Sequence, residues 1–147
     1  MYLIVGLGNP EENYTNTRHN AGFDVINELS KRNKIEVNRK KYNSLYGQGN
    51  IKGQKVILLK PQTYMNLSGM AVREFKQFFK IEDNNIIIIH DDIDIEKGVI
   101  KIRKTGGAGT HNGMKSVIQE LGEKNFNRIR IGIRTTIYNT RFKRFCT

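Results

Sequence analysis

The residues of this chain that can do chemistry are three histidines, a knot of aspartates and several scattered asparagines. His19 stands in Thr-Arg-His-Asn, in a loop between an apolar run and a helical pattern. His90 ends the run Ile86–Ile89 and reads as a buried, satisfied ring. His111 follows Gly106-Gly107-Ala108-Gly109 at a helix start, where unpaired backbone N–H groups favour anions. Asp91, Asp92 and Asp94 form an acidic knot in a basic chain. A calcium or magnesium site or a solvated turn would account for such a knot, but the EF-hand loop pattern and its terminal Glu are absent. Zinc is disfavoured, because the histidines lack ligand spacing and Cys146 is remote. A better use for one buried carboxylate is to hold a histidine in its correct tautomer.

The glycines suggest other chemistries and then exclude them. Gly6-Leu7-Gly8 after an apolar run resembles a dinucleotide turn, yet the third glycine of that fingerprint would fall at Glu11. The run at 105–109 lacks the Lys-Ser/Thr ending of a phosphate-binding loop. No Gly-x-Ser-x-Gly elbow supports a serine nucleophile. A histidine base, carboxylate support and asparagines remain, a set that suits direct attack by activated water.

These residues need elements to position them. Met1 to Leu7 reads as a buried strand. Asn20 to Arg32 reads as a helix, with Asn20 as N-cap and Phe23, Ile26 and Leu29 on one face. Leu45–Ile51 and Lys55–Lys60 form a hairpin turned at Lys52-Gly53. A second helix follows Leu67, with Ala71, Phe75, Phe78 and Phe79 as its apolar stripe. Ile86 to His90 is a central strand buried on both faces, closed by Asp91. Val99–Arg103 alternates apolar and basic, so it reads as half exposed. Met114, Val117, Ile118 and Leu121 mark a third helix stopped by Gly122, and Ile129–Ile133 a last strand. Strands alternating with helices imply one α/β domain with a mixed, largely parallel twisted sheet flanked by helices. Ligands bind such sheets beyond the carboxyl ends of the strands, where Asn9, Tyr64-Met65-Asn66 and Asp91 fall.

The 147 residues suffice for one core, although only 37% are hydrophobic. No apolar stretch reaches membrane-spanning length, and the N-terminus reads as free of a signal peptide. A lone cysteine excludes an internal disulfide and fits a reducing cytoplasm. The net charge of +11 suggests a polyanionic partner, with nucleic acid foremost. Codon bias of an A/T-rich genome is the alternative source of that charge.

Taken in order, the motifs resemble the bacterial-type peptidyl-tRNA hydrolase family. Val5-Gly6-Leu7-Gly8-Asn9-Pro10, Tyr14 and Thr17-Arg18-His19-Asn20-Ala21-Gly22 are similar to its opening signature. Lys60–Gly69, His90–Asp94, and Gly106–Gly113 with Arg128–Ile133 resemble the later ones. The resemblance covers residues 2–133. It implies a peptidyl-tRNA substrate, cleaved at the ester joining peptide to terminal ribose to recycle tRNA from stalled translation. On this resemblance His19 takes a proton from water, Asp91 stabilises His19, and Asn9, Asn66 and Asn112 hold the peptide and terminal adenosine and position the ester. Tyr64 and Met65 line the cleft, Tyr14 contacts tRNA, and His111 joins the substrate-binding group. Arg103 and Arg130 match a basic clamp for a tRNA phosphate. No metal or cofactor is required, and the protein is expected to be a cytoplasmic monomer.

Residues 1–133 form the family-like domain, and residues 134–147 read as an atypical basic tail. The family continues with a lid and helices, so the sequence is expected to lack them through truncation or a frameshift. An active hydrolase, a catalytically impaired RNA-binding module of the same fold and a defective gene product are the three resulting readings.

Overall fold

The structure, a computed structural model, describes residues 1–9, 20–109 and 111–134, and for Asn66 the backbone alone. His19, Tyr14 and the tail beyond residue 134 lie outside the described residues.

Among the described residues the apolar runs become the centre of a seven-stranded sheet. Strands β1 (Tyr2–Gly6), β4 (Gln54–Pro61), β5 (Ile86–Glu96) and β7 (Asn127–Arg134) are parallel neighbours in the order β4-β1-β5-β7. At one edge β2 (Arg39–Lys41) and β3 (Ser44–Ile51) continue antiparallel to β4; at the other β6 (Ile100–Arg103) runs antiparallel to β7. The sheet is therefore mixed, with its parallel strands inside, where helices can cover both faces. Helix α1 (Ala21–Asn33) buries Ile26 against Val56 and Leu58 on one face. Helices α2 (Ser68–Phe79) and α3 (Asn112–Leu121) bury Val72, Phe75, Met114 and Val117 against Leu3, Val5 and Ile88 on the other. Short 3₁₀ turns at Met65–Leu67 and Asp83–Asn85 complete the connections.

Several expectations are corrected. Asp91 does not close the Ile-rich strand: β5 runs on to Glu96, with Asp91 and Asp92 paired to Ile131 and Gly132 before a register shift. The acidic knot thus lies mostly on a strand held by β7, which gives its side chains a fixed backbone. Asn20 precedes α1 but makes no cap bond; its Oδ1 accepts from the Asn9 N–H at 2.9 Å, tying the end of β1 to the start of α1. Phe78 leaves the apolar stripe and is 54% exposed, because α2 turns Ala71, Val72 and Phe75 to the sheet. It packs edge-on against Tyr42 and Phe79, under the Lys41 ammonium. Strand β6 is exposed at all four positions, not half exposed, since it is an edge strand with neither side covered among the described residues.

Gly6 and Gly22 together set how closely α1 approaches the sheet. A Cβ on Gly22 would lie 2.5 Å from the Ile89 carbonyl oxygen and from the Leu7 amide nitrogen. Any side chain there would push the start of α1 off the strand ends that carry the chemistry.

Candidate active site

The site forms where β5, the start of α3 and the glycine loop before it meet. Asp91 is buried at 3% exposure. Its carboxylate Oδ1 lies 3.3 Å from Nε2 of His111. His111 is the N-cap of α3, and its Nδ1 accepts the Met114 N–H at 3.1 Å. A nitrogen that accepts from an amide carries no proton, so the neutral ring has its hydrogen on Nε2, aimed at Asp91. The helix start that the sequence offered to an anion is thus partly satisfied by the ring itself.

His90 lies on the other side of the pair. Its ring centroid is 4.9 Å from that of His111 at an interplanar angle of 68°. Nδ1 makes a 2.9 Å hydrogen bond with the Asp91 main-chain oxygen. Burial, reinforced by the neighbouring His111, pushes the His90 pKa down to about 4. The ring is buried, as the sequence suggests, but satisfied at one nitrogen only: Nε2 has no partner among the described residues.

These groups line a cavity of about 220 Å³ together with Met65, Asn112, Arg130 and the glycine loop 107–109. Met65 is seated by Gly113, where a Cβ would approach the Met65 sulfur to 2.8 Å. Arg130 donates from Nη2 to the Gly107 carbonyl at 3.3 Å and lies 3.9 Å from the Asp92 carboxylate. The register sets Lys101 directly opposite Arg130, and Arg103 opposite Arg128. Residues directly opposite share a face, so Lys101 lies on the same side of the two strands as Arg130, and Arg103 on the same side as the buried Arg128.

Of the residues singled out from the sequence, Asp91, Met65, His111, Asn112 and Arg130 are brought together around the cavity. Asn9, Tyr64 and Arg103 are outside its lining. Asn9 ends the segment after β1, Tyr64 is 65% exposed, and Arg103 is exposed on the edge strand. The Asn66 backbone lies in the 3₁₀ turn beside Met65.

Two contributors escaped the sequence reading. Lys101 shares the period-two spacing of Arg103, which was the available signal. Arg128 has 0% exposure and donates to the carbonyls of Lys104 at 2.7 Å and Glu123 at 2.8 Å, with its guanidinium 4.0 Å from the Phe126 ring centroid. It therefore ties the start of the glycine loop to the loop after α3. Among the described residues no three His, Cys, Asp or Glu side chains are grouped to hold an ion.

A family model for peptidyl-tRNA hydrolase matches residues 3–145. The chain belongs to the peptidyl-tRNA hydrolase family. It is 58% identical over 133 residues to the peptidyl-tRNA hydrolase of Alkaliphilus metalliredigens, an alignment covering 90% of this chain and 72% of that one. It is 53% identical over 133 residues to the peptidyl-tRNA hydrolase of Clostridium perfringens, covering 90% and 71%. A crystal structure of peptidyl-tRNA hydrolase from Acinetobacter baumannii superposes with a TM-score of 0.87 at 42% identity, covering 97% of this chain and 73% of that one. The peptidyl-tRNA hydrolase fold anticipated from the motifs is therefore the fold observed.

Proposed function

We propose that this chain hydrolyses the ester between a peptide and the terminal ribose of tRNA, using a water activated by His19. The observation that carries the reading is the buried Asp91 carboxylate, held by His111 in a cavity also lined by Met65 and Asn112. His19 is the covalent neighbour of Asn20, whose side chain is fastened to the Asn9 amide. In the step envisaged, His19 takes a proton from water as the oxygen attacks the ester carbonyl. Asparagine amides, with Asn9, Asn66 and Asn112 as candidates, donate to the oxyanion that develops. Collapse of the tetrahedral intermediate breaks the bond to the ribose oxygen, and the proton held by His19 returns to that leaving group. Asp91 stabilises the imidazolium while the proton is held there.

Lys101, Arg103 and Arg130 suit the tRNA phosphates, with Arg103 and Arg130 as the clamp and Tyr14 as a further tRNA contact. Tyr64, exposed beside the cavity residue Met65, is assigned to the lining of the substrate cleft. No helix among the described residues is long and apolar enough to cross a membrane. We place the protein in the cytoplasm as a metal-free monomer, where its tRNA substrate is found. A module that binds RNA without catalysis is not favoured, since the relatives it matches are named as hydrolases. Turnover of peptidyl-tRNA by the purified chain tests the reading. Release of free tRNA that depends on His19 is expected, and binding without release by a cooperatively folded chain would overturn it.

A further inference from the structure

We propose that His90 is a positioning residue for the reaction, setting the orientation of Asp91 as one of a pair of fixed, opposite imidazole tautomers with His111. The inference rests on the reading that Asp91 serves hydrolysis. A main-chain carbonyl can only accept, so the 2.9 Å bond to Asp91 requires the hydrogen of His90 on Nδ1. The Met114 amide imposes the reverse on His111, whose hydrogen sits on Nε2. One ring thereby holds the main chain of Asp91 and the other its carboxylate.

This double hold answers a weakness in the strand. Regular pairing between β5 and β7 shifts register between Asp92 and Glu96, one residue beyond the aspartate that must stay fixed. The charged surroundings of His90 favour its neutral form. His90 faces His111 from the start of α3, Arg130 directly across on β7, and Asp91 on its own strand. A second positive charge beside Arg130 would be repelled, in accord with the lowered basicity of the buried ring. Its unprotonated Nε2 is left as a buried acceptor with no partner among the described residues.

Long-range ¹H–¹⁵N spectra of the full chain read the tautomers directly. His90 is expected as the neutral Nδ1–H form from about pH 8 to 5, its titration lying below the usual histidine range, and the neutral ring of His111 as the Nε2–H tautomer. An Nε2–H His90, or one titrating near the ordinary histidine value, overturns the proposal. Kinetics supply the second arm. His90→Phe keeps a ring but no donor and should lower kcat by about tenfold with KM unchanged, the scale of one lost hydrogen bond. His90→Asn can still donate to the Asp91 carbonyl and should recover most of that loss. Equal losses in both variants, or a change confined to KM, would overturn the positioning role. If His90→Phe fails to fold, the spectra and His90→Asn alone decide. Paired tautomers in a chain that never turns over peptidyl-tRNA would support the histidine pair and overturn the hydrolytic reading instead.

Discussion

His111 uses its two ring nitrogens in different directions: Nδ1 caps α3 and Nε2 reaches the Asp91 carboxylate at 3.3 Å. Helix capping and site geometry are therefore joined in one side chain, and substitution can separate them. His111→Ala loses both contacts and should cost about 0.5–2 kcal/mol of stability, the range for a lost N-cap. His111→Asn supplies a good capping group but is too short to replace the ring at Asp91. It should melt close to the parent while still turning over more slowly. Paired melting and kinetic measurements check this, and equal activity in parent and His111→Asn would remove the Asp91 contact from the reaction.

His19→Ala should lower turnover by roughly two to four orders of magnitude, as expected for loss of a general base. Binding of peptidyl-tRNA should change far less. Single-turnover rates beside equilibrium binding distinguish the two, and near-parental turnover would exclude His19 as the base.

Acid should destabilise the fold through His90. Its folded pKa of about 4 lies below the ordinary value of 6.5, so between those limits the unfolded chain binds more protons than the folded one. Stability then rises with pH across that window and is lost as pH falls through it. The full contribution is about 3 kcal/mol, present above the unfolded pKa. Denaturant midpoints from pH 7 to 4 should fall steeply in the parent and less steeply in His90→Asn. Parallel curves would show that another group governs the acid limb.

Arg128→Met keeps the length of a buried side chain but leaves the Lys104 and Glu123 carbonyls without their donor. Hydrogen bonds from a charged donor such as this guanidinium contribute about 1.5–3 kcal/mol each. The variant should melt well below the parent and lose order first in the glycine loop. Hydrogen exchange localises the effect, and uniform exchange across the chain would argue against a loop tie.

Binding to tRNA should weaken as salt rises. Arg103→Ala and Arg130→Ala should each flatten the salt dependence by about one unit if each meets one phosphate. Lys101→Ala should do the same, because Lys101 stands opposite Arg130 on the same face. Unchanged slopes in all three variants would place the phosphate contacts elsewhere.

The strands at the centre of the sheet were legible because being buried on both faces leaves unbroken apolar runs such as Ile86–Ile89. Strand β2 was not, since Arg39–Lys41 has no apolar residue and exists only by pairing with β3. The extension of β5 through Asp91 was hidden for a related reason: its polar residues are held by β7, more than thirty positions away. Asp91, His111 and Asn112 could be placed at one site from their motifs, but the site's wiring could not. Nothing in the sequence tells which nitrogen of His111 faces the helix, or that Arg128 points inward while Arg130 lines the cavity. Those differences arise from packing around residues of identical type.

The place of β1 in the sheet has a consequence for how the protein is born. This strand is made before both of its partners, β4 and β5, and pairs with residues 56–59 and 86–89. During synthesis at about 5–20 residues per second, its apolar edge waits roughly four to sixteen seconds for the second partner to be made. Such distant pairing also slows folding in the finished chain. The amino-terminal strand, which leads into the site through Asn9, is thus the segment most in need of protection on a translating ribosome.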